Sequence, residues 1–287
     1  MNMDDKKSNE DLLGEHNSTS VIECAARCQK DCSFYGFNPE MKKCRTHKMI
    51  FPSGMSNEDG WRYYSHDFIP IDCKDLQSDG YFNSGIFEIY PYGTITSPVQ
   101  AYCDMTTMGG GWTAIQKRIT GSLDFNRTWT EYKNGFGSPE EDVWIGNDVI
   151  HQLTKENTSS LYVSITLQNG TTLYETYDFS VSNEAGKYQL FLAGPATGTL
   201  GDSMIDTGDS TKDLSGMYFS TMDRDHDRWG DDNCAVRWGG GGGWWYNSCK
   251  RCSLNGPWSQ NSRGNSWYTA VRDPQEIKET LMMIKPH

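Results

Sequence analysis

Residues 223–256 read DRDHDRWGDDNCAVRWGGGGGWWYNSCKRCSLNG, and this stretch decides how most of the chain is interpreted. Three aspartates alternate at its start, at Asp223, Asp225 and Asp227. Alternating carboxylates supply hard oxygen ligands that can converge on one cation, which is the coordination chemistry that calcium requires. An aromatic triplet at 244–246 follows, in a short loop between two cysteines. A cation site beside aromatic walls favours ligand recognition over catalysis.

Other known motifs do not account for this stretch. Counted from Asp223, an EF-hand would need glycine where Arg228 stands and glutamate where Cys234 stands. The glycines at 239–243 are not followed by GK[ST], so we interpret them as a flexible turn and not as a phosphate-binding loop. The chain has no G-x-S-x-G elbow for nucleophilic catalysis, and we predict that it is not an enzyme.

Charge and hydropathy narrow the class of protein further. A formal net charge of -12 over 287 residues argues against nucleic-acid binding, which requires clustered Lys and Arg. The sequence has no run of about 18 apolar residues, so no membrane-spanning helix is predicted.

The cysteines indicate an oxidising compartment, because nine of them occur in closely spaced sets that are typical of disulfides. We therefore expect a secreted, extracellular glycoprotein. The first residues, MNMDDKKSNEDLL, lack the apolar core of a secretion signal, so this expectation includes a leader that the sequence does not show. Four N-x-[ST] sequons are candidate glycosylation sites, at Asn17, Asn126, Asn157 and Asn169.

Residues 1–66 form a first predicted domain with four cysteines, Cys24, Cys28, Cys32 and Cys44. VIECAARCQK has helical spacing, and FYGFNP is a strand candidate. A domain this small has little core, so two disulfides, at roughly 2–4 kcal/mol each, would largely decide whether it folds. A four-cysteine zinc site is the rival interpretation, which the CxxxC spacing disfavours.

This first domain resembles a PAN/apple module, in which cysteines join a helix to a small sheet that closes with an aromatic strand such as GWRYYSH. The resemblance implies the disulfides Cys24–Cys44 and Cys28–Cys32, and a role in binding proteins or glycans. Residues 67–71 are predicted to be a linker. From 72 to 287 the sequence changes to frequent glycines and aromatic residues. Short strand candidates follow at LYVSITL (161–167), TLYETYDFSV (172–181) and YQLFLAG (188–194), which predicts an α+β domain.

The second domain resembles the fibrinogen-related family through a series of motifs in one order. They are DCKDL (72–76), SGIFEIYP (84–91), VQAYCDMTTMGGGWTAIQKR (99–118), FNRTWTEYKNGFG (125–137), WIGND (144–148), YFSTMDRDHD (218–227), NCAV (233–236), GGWWYNSC (242–249), SLNG (253–256) and LMMIKP (281–286). The resemblance implies the fibrinogen C-terminal fold, with disulfides Cys73–Cys103 and Cys234–Cys249.

The calcium site of that family maps onto the side chains of Asp225 and Asp227 and the backbone carbonyls of Trp229 and Asp231. Gly230 is the alternative for the second carbonyl, because this sequence has one residue more than usual before the next cysteine. With so few carboxylates, the resemblance implies weak calcium affinity, on the order of 10⁻⁴–10⁻³ M, which suits an extracellular protein.

Lectin members of the family, the ficolins and tachylectins, bind an acetyl group in a pocket beside that calcium. The resemblance implies a cis peptide at Ser248–Cys249, which would direct backbone N–H groups into the pocket. It also implies that Tyr246 lines the pocket. We expect Trp244 and Trp245 to be core residues and not ligand contacts.

The acetyl pocket departs from the lectin pattern on one side. Lys250 replaces the histidine that commonly follows the loop cysteine. Asn261 and Ser262 stand where the lectins have an aromatic residue followed by alanine. The missing wall would then be rebuilt from Trp258 or Tyr268.

Positive charge is expected at the mouth of the pocket, from Lys250 and Arg251. The ligand is therefore either an anionic sugar such as sialic acid or a neutral acetylated sugar. Cys252 remains as the odd cysteine, and in a secreted protein it suggests an intermolecular bridge or a free thiol. It could also compete with Cys249 for Cys234.

The main hypothesis is a secreted, calcium-dependent lectin that binds N-acetylated or sialylated glycans, with host defence implied by the lectin resemblance. Because one shallow pocket binds weakly, such a lectin would form a homo-oligomer through its domains or through Cys252. The alternative is a protein-binding adhesion or receptor-ligand module of the same family that binds no sugar.

Overall fold

The structure is a computed structural model that describes residues 12–28, 32, 34–47, 60–65, 69–156, 158–205, 208–230, 232–258, 264–271 and 273–287. The chain divides into two compact units, Met1–Ile69 and Pro70–His287. The predicted linker at 67–71 spans this division, although residues 67 and 68 lie outside the described residues. Each helix of the described ranges is too short or too polar to cross a lipid bilayer.

Among its described residues, the first unit contains one helix and a four-stranded antiparallel sheet. Its helix α1, Val21–Arg27, begins after Ser20, whose hydroxyl accepts a hydrogen bond from the backbone N–H of Glu23. The strands lie in the order β1-β3-β2-β4. Their bounds are Leu12–Asn17 (β1), Phe34–Asn38 (β2), Lys43–His47 (β3) and Arg62–Ser65 (β4).

Two disulfides connect this unit. The first, Cys24–Cys44, joins α1 to β3, and the second, Cys28–Cys32, closes a short loop after the helix. These are the pairs that the PAN/apple resemblance implied. Because all four sulfurs are oxidised, they are not available as the thiolates that a zinc site would need. The PAN/apple assignment itself stays a prediction.

The second unit contains four helices and eleven strands among its described residues. The helices are Cys73–Ser78 (α2), Trp129–Asn134 (α3), Asn147–Thr154 (α4) and Cys234–Arg237 (α5). The strands are Gly85–Ile89 (β5), Val99–Asp104 (β6), Trp112–Arg118 (β7), Phe136–Gly137 (β8), Val143–Trp144 (β9), Ser159–Leu167 (β10), Thr172–Val181 (β11), Leu190–Gly198 (β12), Cys252–Ser253 (β13), Ser266–Trp267 (β14) and Ile277–Pro286 (β15).

One large antiparallel sheet organises the unit, in the order β12-β11-β10-β15-β7-β6-β5, with β9 paired to β7 and β8 to β9. The strand predictions at 161–167, 172–181 and 188–194 are confirmed by β10, β11 and β12. The last strand, β15, lies in the middle of the sheet between β10 and β7, although it ends the sequence. The sheet therefore cannot be completed until residues 277–286 are present.

Strand β7 shows how the two faces of the sheet differ. Gln116 and Arg118 turn to one face and donate hydrogen bonds to the backbone carbonyl of Leu254, at 2.9 and 3.1 Å. Lys117 lies between them and turns to the other face, where its ammonium stands 4.6 Å from the ring centre of Tyr102. This alternation follows from the two-residue period of a strand. One face thus carries the long loops, and the other stays open.

Candidate functional site

The candidate site is built from residues 219–258, which we name the site loop; residue 231 lies outside the described residues. Ser220 and Trp244 pair as an isolated antiparallel bridge, with N–H to carbonyl distances of 2.9 and 3.1 Å. The disulfide Cys234–Cys249 links the start of α5 to the end of the aromatic segment. Together with Cys73–Cys103 it completes the two pairs that the family resemblance implied for this unit. The loop is therefore fixed at both ends.

Asp227 holds the turn that leads into α5. Its Oδ1 accepts the N–H of Trp229 at 2.8 Å, and its Oδ2 accepts the N–H of Cys234 at 2.7 Å. Burial raises the pKa of Asp227 to about 6, and the negative charge of Asp225 acts in the same direction. The backbone N–H of Asp227 donates to Asp225 Oδ1 at 3.1 Å, which keeps the two residues on one turn.

The donor set at Asp225 and Asp227 fits a calcium ion. Both residues present hard carboxylate oxygens, and each oxygen that accepts one N–H keeps a second lone pair. A cation would also relieve the repulsion between the two carboxylates. In the part of the chain that the structure describes, no group of three or more His, Cys, Asp or Glu side chains is arranged to hold a metal. The predicted calcium set thus depends on two carboxylates together with backbone carbonyls, and of these Asp231 lies outside the described residues.

The first aspartate of the alternating series has a different role. Asp223 Oδ1 accepts the N–H of Trp129, the first residue of α3, and the hydroxyl of Thr221, both at 2.8 Å. It stabilises the start of α3, where a negative charge is favourable. His226 contacts the backbone and not the carboxylates: its Nδ1 is 2.8 Å from the carbonyl of Phe219.

The aromatic residues of the site loop form a core and not a pocket. Trp244, Trp245 and Tyr246 are all 0% exposed. Trp245 contacts Phe219 edge to face at 5.1 Å between ring centres, and its indole N–H donates to the carbonyl of Tyr188 at 2.7 Å. The two tryptophans are therefore core residues, as predicted.

The interpretation of Tyr246 as a pocket wall is wrong for this structure. Its hydroxyl donates to the carbonyl of Gly242 at 2.6 Å and lies where a Cβ on Gly239 would come within 2.0 Å. Burial raises the pKa of the Tyr246 phenol above its ordinary value. The ring is enclosed by its own glycine run, so a ligand cannot reach it.

The expected cis peptide at Ser248–Cys249 is also corrected. Among the described residues no peptide bond is cis, so this bond is trans. A cis bond without proline costs roughly 3–4 kcal/mol and needs surroundings that enforce it. Here the N–H of Asn247 donates to the carbonyl of Cys249 at 3.0 Å, and the N–H of Ser248 donates to the carbonyl of Thr211 at 3.1 Å. These contacts satisfy the N–H groups of Asn247 and Ser248 within the chain.

Lys250 does not place positive charge at a pocket mouth. Its ammonium donates to the carbonyl of Gly264 at 2.8 Å, and burial lowers its pKa to about 8. Arg251 lies over the ring of Tyr268, with 4.8 Å between the guanidinium carbon and the ring centre. The two cations are thus engaged with the 264–268 segment. Asn261 and Ser262, which stand where the lectins have their wall residues, lie outside the described residues.

Trp258 packs on the guanidinium of Arg118. Arg118 lies between two rings, 4.6 Å from the centre of Trp258 and 4.3 Å from that of Phe125. The guanidinium also donates to the carbonyl of Gly256 and to Asn265 Oδ1. Arg118 is 1% exposed and was not among the predicted site residues.

The glycines at 239–243 form a packed segment and not the flexible turn that the sequence suggested. A Cβ on Gly243 would lie 2.7 Å from the ring of Tyr132 and 2.8 Å from that of Phe219. A Cβ on Gly242 would lie 2.0 Å from the carbonyl oxygen of Asn255. The run is rich in glycine because other chain segments occupy the space that side chains would need.

The odd cysteine is enclosed. Cys252 carries a free thiol, is 0% exposed and begins strand β13, which pairs with β14. Burial raises the pKa of this thiol, which keeps it protonated and unreactive. A disulfide to a second chain would require the strand pair to open, so Cys252 is not an intermolecular bridge in this structure.

The candidate glycosylation sites are at the surface where they are described. Asn17, Asn126 and Asn169 are exposed, and Asn157 lies outside the described residues. Asn169 occupies the turn between β10 and β11, where its Oδ1 accepts the N–H of Thr171 at 2.9 Å.

Three exposed apolar side chains stand on the outer side of the site loop, and sequence reasoning missed them. Met222, Val236 and Trp238 are 43%, 50% and 42% exposed. Asn233 joins the two segments that carry them, because its Nδ2 donates to the carbonyl of Thr221 at 3.0 Å. All three belong to the site loop, on the two segments that this hydrogen bond connects.

Fold and site together define a disulfide-bonded α+β domain whose central sheet carries a loop-built surface. Residues 69–287 match the family model described as the C-terminal globular domain of fibrinogen beta and gamma chains, and the chain belongs to this family. It is 40% identical over 229 residues to human fibroleukin, covering 75% of this chain and 51% of that protein. It is 40% identical over 227 residues to mouse microfibril-associated glycoprotein 4, covering 75% of this chain and 84% of that protein.

The solved structures agree with this assignment. A lamprey fibrin D-dimer complexed with the peptide ligand Gly-His-Arg-Pro-amide superposes with a TM-score of 0.68 at 30% identity. The match covers 76% of this chain and 73% of the lamprey chain. This chain spans about half the length of the fibroleukins that it matches.

Proposed function

We propose that the unit Pro70–His287 is an extracellular protein-recognition module and that the site loop is its binding surface. The observation that carries the proposal is the exposure of Met222, Val236 and Trp238 on a loop that is otherwise rigidly held. Tryptophan is enriched among the residues that contribute most to protein interfaces. A rigid surface also loses little conformational entropy when it binds. The mechanism is binding, and the proposal assigns no catalytic residue.

Two further features support the proposal over an acetyl-directed lectin. The residues expected to form the acetyl pocket are buried or engaged within the chain, as Tyr246 and Lys250 illustrate. A relative of the same fold, the lamprey fibrin D-dimer, is complexed with a peptide ligand. Recognition of N-acetylated or sialylated glycans at this loop is therefore the less favoured hypothesis.

Calcium is part of the proposal. Asp225 and Asp227 would hold the ion, with the backbone carbonyl of Trp229 and Asp231 as further ligands. The ion would supply fixed positive charge that neutralises the two carboxylates. Asp227 already holds the N–H groups of Trp229 and Cys234, so an ion at its carboxylate would order the segment that leads to Val236 and Trp238.

The proposed location is extracellular. Four disulfides are formed among the described residues, and such bonds persist in oxidising compartments. Three sequon asparagines are exposed, as glycosylation requires. The buried thiol of Cys252 gives no support to a disulfide-linked oligomer.

A displayed library of random peptides, selected on the full chain in calcium, tests this proposal. Selected peptides should bind Trp238→Ser at least about tenfold more weakly than the unmodified chain, because an exposed tryptophan at an interface contributes that much or more. Phe191→Ser is the matched control, since Phe191 is 48% exposed but lies on β12, outside the site loop. Equal binding by Trp238→Ser and the unmodified chain would contradict the proposal, as would displacement of the peptides by free N-acetylated sugars.

A further inference from the structure

The side chain of Trp129 contacts the part of the site loop that carries the aspartates, residues 221–229, which we name the acidic segment. The turn that opens this segment is closed by two backbone hydrogen bonds between Thr221 and Arg224, at 2.9 and 3.3 Å. Trp129 is the first residue of α3 and is 2% exposed. Its ring packs on that of Tyr188, with 5.3 Å between ring centres. The ring therefore offers the acidic segment a fixed surface.

Three residues of the acidic segment contact Trp129. The carboxylate of Asp223 accepts its backbone N–H at 2.8 Å. The guanidinium carbon of Arg224 lies 5.0 Å from the centre of the indole ring, a distance at which the ring attracts a cation. The imidazole of His226 meets the same ring edge to face, with 5.1 Å between ring centres and 80° between the planes. The position of the segment thus depends on one residue of another element.

The two ring contacts alternate along the chain with the two aspartates of the proposed calcium set. Asp225 lies between Arg224 and His226, and Asp227 follows His226. Consecutive Cα atoms are only about 3.8 Å apart, so a shift of Arg224 on the ring also displaces the neighbouring carboxylate. His226 is held in addition through its backbone N–H, which donates to Ser220 Oγ at 2.9 Å. A change at Arg224 therefore tests the ring contact better than a change at His226.

Glu184 fixes the orientation of the Trp129 ring. Its Oε1 accepts the indole N–H at 2.9 Å, and its Oε2 pairs with the ammonium of Lys133. The same carboxylate faces the guanidinium of Arg224, with 3.8 Å between Nη1 and Oε1. Lys133 also pairs with Asp148 on α4, at 3.7 Å. The ring and the cation that packs on it thus share one carboxylate, which is itself held by a lysine of α3.

We propose that Trp129 is a positioning residue for the acidic segment. Its ring, oriented by Glu184, holds Arg224, and the backbone transmits this position to the carboxylates of residues 225 and 227. The effect on calcium rests on the proposed function, whereas the ordering of the segment does not need the ion. Arg224 makes the role testable, because its positive charge beside the two carboxylates would by itself disfavour a second cation. A benefit of Arg224 to calcium binding must therefore come from position.

Hydrogen–deuterium exchange of the full chain in chelator tests the ordering without calcium. Arg224→Met removes the cation but keeps a long apolar side chain at a half-exposed position. The backbone N–H groups of residues 223–229 should exchange about twofold to fivefold faster, the factor that corresponds to one exposed cation–ring contact. Exchange over β10 and β15 should stay unchanged, because the substitution acts locally.

Arg127→Met is the matched control. The guanidinium carbon of Arg127 lies 5.6 Å from the ring centre of Phe136, and the side chain pairs with Glu131. It resembles Arg224 in its contacts but lies outside the acidic segment, so its loss should leave exchange over 223–229 unchanged. Equal exchange rates over 223–229 in Arg224→Met and the unmodified chain would overturn the proposal. Equal acceleration in the two variants, or an acceleration that includes β10 and β15, would do the same.

Calcium titration of the same proteins gives a second readout, in which charge and position predict opposite signs. Loss of a positive charge alone would tighten calcium binding by Arg224→Met. The positioning role predicts binding that is weaker by about twofold to fivefold, with Arg127→Met unchanged. Unchanged or tighter binding by Arg224→Met would overturn the proposal. If the unmodified chain bound no calcium, the proposed calcium site would be wrong, and the exchange result alone would decide the role of Trp129.

Trp129→Phe tests the ring itself. It keeps an aromatic side chain in the core but loses the indole N–H that Glu184 accepts. Exchange over 223–229 should rise by about threefold to tenfold, as expected for the loss of one hydrogen bond. Undisturbed exchange in a folded Trp129→Phe would contradict the proposal, and if this buried substitution prevents folding, Arg224→Met decides by itself. Failure of peptide binding at Trp238 would leave these results unchanged.

Discussion

The two faces of the large sheet are only one residue apart along β7, yet they are constructed in different ways. Arg118 turns to the site loop, where single polar side chains hold irregular backbone through several hydrogen bonds each. Lys117 turns to the open face, where regular strands hold one another and the side chains mainly cover them. We therefore expect the deletion of one side chain to lower the free energy of unfolding far more on the face that contacts the site loop than on the open face.

Removal of Arg118 should give the largest effect. Arg118→Met leaves the carbonyl of Gly256 and the Oδ1 of Asn265 without their donor, and it leaves the carbonyl of Leu254 with the amide of Gln116 alone. Because hydrogen bonds to a charged group contribute about 1.5–3 kcal/mol each, we expect a loss of roughly 3–5 kcal/mol in the free energy of unfolding. Urea denaturation measures it. Lys117→Met, the matched control on the open face, should lower the free energy of unfolding by on the order of 1 kcal/mol. Equal losses in the two variants would contradict the difference between the two faces.

A methyl group added to the glycine run should give the next largest effect. Gly243→Ala places a Cβ against Tyr132 and Phe219 in the closely packed aromatic core. Overpacking of this kind costs about 1–3 kcal/mol, measurable as a lowered thermal midpoint. Gly230→Ala is the control, because a Cβ there meets no atom within 4 Å. A tolerated Gly243→Ala would show that the segment is flexible, as the sequence first suggested.

The aspartates of the site loop should also differ in their contribution to stability. In chelator, Asp227→Ala removes the acceptor of two backbone N–H groups and should cost about 2 kcal/mol in the free energy of unfolding. Asp225→Ala removes the acceptor of one N–H on an exposed turn and should cost less than about 1 kcal/mol. Both variants should lose calcium binding in isothermal titration. A variant that retained it would remove that residue from the calcium set.

The smallest predicted effect is a pH dependence. Burial lowers the pKa of Lys250 to about 8, against about 10.4 in an unfolded chain. Between these pH values the unfolded state binds more protons, so Lys250 makes the folded state more stable as the pH rises. The stability of Lys250→Met relative to the unmodified chain should therefore fall between about pH 8 and 10.4, by on the order of 1 kcal/mol because the side chain is only half-buried. If the relative stability did not change over that pH range, the ammonium of Lys250 would have to be exposed to solvent in the folded state.

The same contrast explains what the sequence could predict. The regular strands β10 and β11 follow from alternating residues, and the four disulfides follow from resemblance to known modules. The loop face could not be predicted equally well. Whether Tyr246 faces a ligand or the core depends on which segment fills the space beside Gly239, and that is a long-range packing decision.

The sequence-based expectations for Asp223 and Lys250 were wrong for a similar reason. Asp223 belongs to an alternating acidic pattern, but its partner is the N–H of Trp129, far away in sequence. Lys250 was expected to be an exposed charge, but its ammonium donates a hydrogen bond to the carbonyl of Gly264. In both residues a tertiary hydrogen bond determines the role, and local sequence carries no signal for it.

Hydrogen–deuterium exchange of the full chain, with and without a selected peptide in calcium, would test the central claim most directly. The account predicts new protection in the segments that carry Met222, Val236 and Trp238, with no change over β10, β15 and β7. Protection confined to those sheet strands, or its persistence in full when calcium is removed, would contradict the site loop as the protein-binding surface.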